Sequence, residues 1–364
     1  MLRGKASDGQ GKLARQVGNE PDGHQPINLA IMILAKDEEK NVGRILDAIA
    51  AQSLCDRDDI ALSVYVVANG CTDRTAAVAQ EAASGALNAR GVASEVFDWA
   101  APGKSRSWNR VVHDVIPLDA DYILAIDADI EFVDRFVLAA LFDHIRSRPN
   151  LAVVSGFPIK DTVRKANPTL IDRFSLSISR QTRHSGVING SLYLARASCL
   201  RDIWLPDETP GEDGFLNAMV MTRGFSRTEQ PDVVDQLADP THYFEGHSPA
   251  SYFAHEKRMI VGTMINRWIF EHLHSLGLTE PAGPMIQRLN RDNPDWVEKI
   301  IVERSAGNWL IPSELMFRRL APTRGLTASY LARLPILLAG TMLTLPPAFT
   351  ANTALKKRGA SALW

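Results

Sequence analysis

Residues 122–129 read Tyr-Ile-Leu-Ala-Ile-Asp-Ala-Asp, an apolar run that ends in two carboxylates. The short run predicts a buried β-strand. Carboxylates at the end of such a strand are costly unless a cation or hydrogen-bond donors compensate their charge. A divalent cation held by Asp127 and Asp129 would remove their repulsion and supply a Lewis acid. An Asp-x-Asp triplet is weak evidence alone, so its surroundings decide whether it is a metal site.

The surrounding sequence alternates predicted strands with predicted helices. Apolar runs predict strands at residues 29–34, 63–68, 93–97 and 152–155, and helical periodicity predicts a helix over residues 104–115. This alternation predicts an α/β fold with a mostly parallel sheet covered by helices. Sheets of this kind bind their ligands at the carboxyl ends of the strands.

Polar clusters follow three of these strands. Residues 36–38 follow the first strand, residues 69–73 the second, and the two aspartates of residues 127–129 the fourth. Because the carboxyl ends of parallel strands meet at one edge of a sheet, we expect these clusters to form one ligand site. We also expect Asp37 to cap the helix after the first strand.

The composition excludes several classes of protein. The 364-residue chain is 45% hydrophobic and 23% charged with a net charge of −2, which is typical of a soluble globular protein and not of a nucleic-acid binder. Its three cysteines are not spaced for zinc and suit a reducing cytoplasmic setting. Residues 1–26 are polar, lack the apolar segment of a secretory signal and are predicted to be disordered.

Two familiar nucleotide-binding motifs are missing from the sequence. No glycine-rich turn follows the first predicted strand, so there is no dinucleotide-binding fingerprint. Residues 103–105 read Gly-Lys-Ser, but Asp98 stands where a P-loop has its first glycine.

The order of the polar motifs resembles that of the family 2 glycosyltransferases, which have the GT-A fold. The corresponding motifs here are Asp37-Glu38, residues 68–73, Gly103-Lys104 with Asn109, Asp127-Ala128-Asp129, and Glu212-Asp213. The resemblance covers roughly residues 28–265. It implies a GT-A domain over residues 27–275 and a helical C-terminal extension over residues 276–364.

The resemblance implies an inverting, Mg²⁺- or Mn²⁺-dependent transfer from a nucleotide-diphosphate sugar to a hydroxyl acceptor. Asp127 and Asp129 would hold the metal, and Asp213, beside Glu212, would be the catalytic base. The donor would be bound by Lys36, Asp37, Glu38, Asn69, Asp73, Gly103, Lys104, Asn109, Asp127, Asn189, Gly190 and Arg258. Ala68 replaces an aspartate that contacts the base in many members, so a UDP-sugar is favoured but the base is open.

Some of these residues also have simpler interpretations. His242 and His247 are candidates to complete the metal shell, with His247 preferred, although a lone histidine is more often a packed or surface residue. Glu212 and Asp213 could merely cap a helix. Residues 189–191 could be a plain turn before a strand.

Three functional hypotheses remain from the sequence. The favoured one is a glycosyltransferase for polysaccharide or glycolipid synthesis, moving single sugars because residues 266–268 keep only the last two letters of the Gln-x-x-Arg-Trp motif of processive synthases. A sugar-phosphate nucleotidyltransferase would carry a glycine-rich basic loop after the first strand, which residues 34–41 lack. A non-catalytic nucleotide-sugar sensor would not need both Asp129 and Asp213.

The C-terminal part has a different character. Residues 334–355 contain no charge and are followed by Lys-Lys-Arg, a pattern that suits a helix lying on an anionic inner leaflet. Pro335, Pro346 and Pro347 argue against a straight spanning helix. The alternative is a helical hairpin packed on the catalytic domain. We expect a cytoplasmic enzyme that contacts the inner face of the membrane, with a glycan or lipid-linked acceptor.

Overall fold

Strands form where the sequence has its apolar and β-branched runs. The structure, a computed structural model, describes residues 25–164, 186–245, 249–321 and 327–357. Within these ranges the strands are β1 (Ile27–Ala35), β2 (Ile60–Asn69), β3 (Ala93–Trp99), β4 (Tyr122–Ile126), β5 (Glu131–Phe132), β6 (Val153–Ser155), β7 (Pro158–Lys160), β8 (Leu192–Arg196), β9 (Val234–Gln236) and β10 (His242–Phe244).

Seven of these strands form the main sheet, in the order β3-β2-β1-β4-β8-β6-β9. Strand β8 runs antiparallel to both of its neighbours, and the other pairs are parallel. Ile33 pairs with Val66 of β2 and with Ile126 of β4, so the carboxyl ends of the three central strands lie level. The predicted α/β class with a mostly parallel sheet is confirmed.

A second, three-stranded sheet continues from the aspartate motif. Its order is β5-β10-β7, and β5 begins two residues after Asp129. Tyr243 of β10 pairs with Glu131 on one side and with Ile159 on the other. This small sheet therefore starts at the edge of the main sheet where the polar clusters lie.

The helices cover both faces of the main sheet and bury two apolar cores. They are α1 (Val42–Ala50), α2 (Thr75–Ala82), α3 (Lys104–Arg110), α4 (Val137–Arg146), α5 (Ala197–Arg201), α6 (Glu212–Met221), α7 (Pro249–Ser275), α8 (Gly283–Asp292), α9 (Trp296–Arg304), α10 (Ser313–Met316) and α11 (Ala328–Lys357). The C-terminal helices join one of these cores, to which Ile286, Trp296 and Ala351 contribute buried side chains. They therefore pack on the catalytic part of the chain.

The predicted cap of the first helix is wrong. Helix α1 begins at Val42, its N-cap is Asn41, and no side chain caps it. Asp37 instead lies in the left-handed region, with φ of 55°, and its carboxylate accepts a hydrogen bond from the Thr72 N–H at 2.7 Å. The Asp37 carboxylate therefore binds the loop after β2 and does not cap α1.

The C-terminal apolar segment forms one helix. Helix α11 runs from Ala328 to Lys357 with Pro335, Pro346 and Pro347 inside it, so the hairpin interpretation is wrong for these residues. A proline leaves the carbonyl group four residues earlier without its donor. For Pro335 and Pro346 those carbonyl groups belong to the exposed Leu331 and Met342, where water can bind them. One face of α11 packs along α7.

Gly70, which begins the loop after β2, provides a test of how tightly this loop packs against its neighbour. Its φ is +63°, and an added Cβ would lie 2.8 Å from the Pro102 backbone nitrogen. Gly91 has a similar φ of +69° and nothing within 4 Å of an added Cβ. We expect Gly91→Ala to lower the free energy of unfolding by about 1–2 kcal/mol through backbone strain alone.

Gly70→Ala should cost more than this because the Pro102 backbone must also move. Urea unfolding of the two variants beside the wild type measures the difference. If the two variants lose the same free energy of unfolding, the Pro102 backbone moves aside without a measurable cost.

Candidate active site

Four charged side chains meet in a cavity at the carboxyl ends of β1 and β4. They are Lys104, Asp127, Glu212 and Asp213, and Gly190 also lines the cavity. Lys104 comes from the first turn of α3, Asp127 from the end of β4, and the acidic pair from the first turn of α6. The sheet topology thus gathers into one place residues that are far apart in sequence, as the carboxyl-end argument predicts.

Lys104 joins two of these carboxylates. Its Nζ lies 3.1 Å from Asp127 Oδ1 and 2.8 Å from Glu212 Oε1. Burial opposes the charge on Lys104, but the attraction of both carboxylates outweighs burial and raises its pKa well above the ordinary value. Burial likewise acts to raise the pKa of Glu212, and the charge of Lys104 lowers it overall. Lys104 and Glu212 are therefore both charged at neutral pH.

Asp213 has the properties of a proton acceptor. Burial and the neighbouring Glu212 carboxylate raise the pKa of Asp213. A carboxylate with a raised pKa is a better general base than an ordinary one. Gly190 leaves room for it, because an added Cβ there would lie 3.0 Å from the Asp213 Cβ. The Gly190 backbone thus passes directly against the candidate base.

Asp129 offers a carboxylate free for a ligand. It is exposed in the turn between β4 and β5, and its carboxylate accepts no hydrogen bond from the part of the chain that the structure describes. Burial, together with the charges of Asp129 and Asp127, raises the pKa of Glu38. The charges of Asp127 and Asp129 thus reach Glu38, and Lys104 is the counter-ion of Asp127. Carboxylate oxygens are the ligands that Mg²⁺ and Mn²⁺ prefer, so the chemistry of Asp127 and Asp129 suits such an ion.

The two candidate histidines have different outcomes. His247 lies outside the described residues. His242 is fully buried, with Nε2 2.8 Å from Ser191 Oγ and Nδ1 2.8 Å from Thr241 Oγ1. Burial lowers the pKa of His242 to about 4, so it is neutral. Because both ring nitrogens have partners in the protein, His242 acts as a packed residue.

The predicted nucleotide-binding residues form the loops at the mouth of the cleft. Lys36 donates to the Gly70 carbonyl oxygen at 2.6 Å, and Asp37 bonds the same loop. Asp73 accepts a hydrogen bond from the Thr75 N–H at 3.0 Å and so orders the turn before α2. The structure brings the exposed Lys36, Asp37 and Asp73 together, while Asn69 lies buried behind them.

Two further predicted residues border these groups. Gly103 is the N-cap of α3, with φ of 144°, and so orients the turn that carries Lys104. The charge of Arg258, on α7, helps to lower the pKa of Glu212, which places its guanidinium group near the cavity.

Two predicted asparagines have their side chains engaged inside the protein. Buried Asn109 donates to the Leu205 carbonyl oxygen at 2.8 Å and accepts from the Leu205 N–H at 2.8 Å, which holds the loop before α6. Asn189 Oδ1 accepts from the Ser191 N–H at 3.0 Å, the geometry of a turn. The structure does not turn either side chain toward the cavity charges.

Trp108 and Tyr193 line the cavity without having been predicted. The Trp108 Nε1–H donates to the Tyr193 hydroxyl at 2.8 Å, and both side chains are buried. Their bond fixes an apolar floor beneath Lys104. A tryptophan on a helix and a tyrosine in a strand look like ordinary core residues, so no sequence signal marked them.

The comparisons with known proteins agree with this architecture. The sequence model of a family described as glycosyltransferase like family 2 matches residues 26–262. No curated protein matches the chain at a significant level.

Solved structures with a similar fold include two synthases. One is glucosyl-3-phosphoglycerate synthase from Mycobacterium tuberculosis in complex with Mn²⁺, uridine-diphosphate-glucose and glycerol 3-phosphate, with 17% identity and a TM-score of 0.45 over 66% of this chain and 80% of that chain. The other is mannosyl-3-phosphoglycerate synthase from Rubrobacter xylanophilus, with 14% identity and a TM-score of 0.45 over 65% of this chain and 73% of that chain.

Lys104→Met tests whether the lysine holds the acidic groups together. The change leaves two partly buried carboxylates without their counter-ion, so we expect the free energy of unfolding at pH 7.5 to fall by about 1–3 kcal/mol. The loss should shrink toward pH 4, because the folded-state pKa of Glu212 is depressed and its ion pair contributes only while it is ionised.

Urea unfolding at both pH values measures the effect. Lys299→Met is the matched control, since Lys299 is 61% exposed and pairs with Asp295 of its own helix. A loss that is the same at both pH values would contradict the electrostatic role.

Proposed function

The chain belongs to the glycosyltransferase like family 2, and from this membership and the geometry of the cleft we propose that it transfers a sugar from a nucleotide-diphosphate sugar to a hydroxyl acceptor with inversion. One observation carries the proposal. Lys104 joins Asp127 of the aspartate motif to Glu212, which adjoins the candidate base Asp213. That Lys104, Asp127 and Asp213 line one cavity supports roles for them at the leaving diphosphate and the incoming hydroxyl.

Displacement at an anomeric carbon requires a base, charge neutralisation on the leaving group and in-line positioning. Asp213 takes the proton of the acceptor hydroxyl while that oxygen forms its bond to the anomeric carbon. The bond from this carbon to the diphosphate oxygen breaks with its electron pair. Asp213 is suited to this step because burial and Glu212 raise its pKa.

A divalent ion, Mg²⁺ or Mn²⁺, would be held by Asp129 and Asp127, with His247 as a further proposed ligand. When bound, it would neutralise negative charge on the leaving diphosphate. The exposed carboxylate of Asp129 and the charge that Asp127 and Asp129 exert on Glu38 support this assignment.

The donor would lie between the mouth of the cleft and α7. Lys36, Asp37 and Asp73 at the mouth would contact the nucleoside, with a UDP-sugar favoured, and Arg258 would face the diphosphate. The acceptor would be a glycan or a lipid-linked sugar, and the product a polysaccharide or glycolipid.

Two aspartate variants separate donor binding from chemistry. We expect Asp129→Ala to lose the Mn²⁺-dependent rise in melting temperature that a nucleotide sugar produces. Asp213→Asn should keep this rise but release nucleoside diphosphate at least about 100-fold more slowly, because it lacks the base. A thermal-shift screen of nucleotide sugars with and without MnCl₂, followed by an assay of diphosphate release, measures both.

Asp114→Asn, an exposed aspartate beyond α3, is the control for the change of charge. Unchanged turnover in Asp213→Asn would contradict its role as base. If no nucleotide sugar stabilises the wild-type protein with either metal, the proposed function is wrong.

We also propose that α11 rests on the inner face of the membrane. Among the described residues one helix, Tyr330–Lys357, is long and apolar enough to cross a bilayer, and only 33% of its apolar window is buried inside the protein. Leu331, Leu338, Met342 and Phe349 are exposed at spacings that place them on one side of the helix. The opposite side packs on α7. A helix with one side on the protein and an apolar outer side suits the interfacial plane.

Met342→Glu tests the membrane contact. A charge in the middle of the outer face should reduce sedimentation with phosphatidylglycerol vesicles several-fold, because burying it opposes insertion. Val302→Glu is the matched control, since Val302 is an exposed apolar residue on α9. Equal sedimentation of both variants and the wild type would contradict the membrane role of α11.

A further inference from the structure

The first turn of α6, which carries Glu212 and Asp213, is held by a side chain of another helix. Asn266 of α7 donates from its Nδ2 to the Gly211 carbonyl oxygen at 2.7 Å. This carbonyl group begins α6 and also accepts a hydrogen bond from the Phe215 N–H at 3.1 Å. No side chain in the described part of the chain caps α6 at this end. Asn266 is therefore bonded directly to the start of the helix that presents the acidic pair.

The same amide group also holds the loop that leads into α6. Its Oδ1 accepts a hydrogen bond from the Thr209 hydroxyl at 3.0 Å. The Thr209 carbonyl oxygen in turn accepts a hydrogen bond from the hydroxyl of Ser105, the residue after Lys104, at 3.3 Å. Ser105, Thr209 and Asn266 are all buried, so water does not compete for these bonds. Thr209 thus links the helix that carries Lys104 to the asparagine that holds the start of α6.

Glycines on both sides of the acidic pair make room for Asn266. A Cβ added at Gly211 would lie 2.8 Å from Asn266 Nδ2, and a Cβ added at Gly214 would lie 3.2 Å from the same atom. On the facing helix, a Cβ added at Gly262 would lie 3.4 Å from the Gly211 Cα. Glycine weakens a helix, so Gly214 within α6 and Gly262 within α7 are explained by this close approach. The two helices meet at the point where the acidic pair begins.

Other side chains hold the far end of the loop. The Leu205 carbonyl oxygen accepts hydrogen bonds from Asn109 of α3 and from Asn290 of α8, both at 2.8 Å. Residues 206–210 lie between this attachment and the start of α6. Because the far end is held without Asn266, we expect the loss of Asn266 to release mainly the end next to the acidic pair.

We propose that Asn266 is a positioning residue that, together with Thr209, holds the first turn of α6 so that Asp213 meets the acceptor hydroxyl, an inference that rests on the proposed transferase function. Neither side chain belongs to the described residues that line the cavity, so both act through α6. A base must lie within hydrogen-bond reach of the proton that it removes, and misplacement of such a group slows the reaction. The expected signature is a lower kcat with an unchanged KM for the donor.

Asn266→Ala is compared with the matched control Asn352→Ala. Asn352 of α11 is also buried, its Oδ1 accepts a hydrogen bond from the Leu310 N–H at 2.8 Å, and it is not among the described residues that line the cavity. Both variants lose bonds to a loop, so both should melt at a lower temperature. Only Asn266→Ala should lower kcat by at least about tenfold while the donor KM changes by less than about twofold.

The assay measures release of nucleoside diphosphate from UDP-glucose and from GDP-glucose with MnCl₂, and water serves as the acceptor. Every variant is assayed well below its melting temperature, so that a loss of folded protein does not lower the rate. A fall of kcat in Asn266→Ala equal to that in Asn352→Ala would show a structural role only, and would overturn the proposal.

Two variants of Thr209 serve if Asn266→Ala does not fold. Valine keeps the shape of threonine without its hydroxyl group, whereas serine keeps the hydroxyl group. We expect a several-fold lower kcat in Thr209→Val, because Asn266 loses the hydrogen bond to its Oδ1. Thr209→Ser should retain the wild-type kcat. A wild-type kcat in Thr209→Val would contradict the role of this bond in positioning Asp213.

Hydrogen exchange keeps this inference apart from the proposed function, because it requires no substrate. The Phe215 N–H, which bonds to Gly211, should exchange at least about tenfold faster in Asn266→Ala than in the wild type or in Asn352→Ala. If its exchange is unchanged, Asn266 does not hold the turn and the inference is wrong, even where the wild type releases diphosphate. If exchange is faster but the wild type turns over neither donor, the transferase function fails and the hold of Asn266 on α6 stands.

Discussion

The ion pair between Lys104 and the carboxylates of Asp127 and Glu212 is the interaction on which the site depends. It ties the end of the central strand to the first turn of α6, across a sequence separation that only the sheet topology closes. Charges that are partly removed from water are stable only when they are paired. Lys104 provides that pairing, and Asp213 lies beside an apolar floor, where burial raises the pKa of its carboxyl group.

The pair also explains how charge is divided across the cleft. Asp127 has a counter-ion within the protein, whereas Asp129 reaches solvent without one among the residues described. One aspartate of the motif is thus held in place and the other is available to a ligand. A site organised in this way carries net negative charge, which favours the binding of a cation.

Much of this arrangement could be predicted from sequence. The apolar runs located the strands of the parallel part, and the polar groups after them met as expected, because strand direction and register are set by local pattern and by the crossover helices. Side-chain partners were harder to predict. Asp37 was expected to cap a helix and instead bonds Thr72, and Asn109 holds a loop almost a hundred residues away. Such bonds depend on which loops the fold brings near. The sequence predicted helix in the C-terminal part but not one helix continuing through Pro335, Pro346 and Pro347, because packing along α7 outweighs local helix propensity.

Helix α7 connects the two ends of the molecule. Arg258 influences Glu212 in the cleft, and Glu256, two residues earlier in the same turn, binds the guanidinium groups of Arg318 and Arg319 next to α11. A rotation of α7 about its axis would move Arg258 and Glu256 together. If occupancy of the cleft changes the affinity of a contact at α11 through α7, occupancy of that contact changes the affinity of the cleft by the same factor, since binding linkage is reciprocal. A ligand in the cleft and a contact at α11 would then influence each other through one helix.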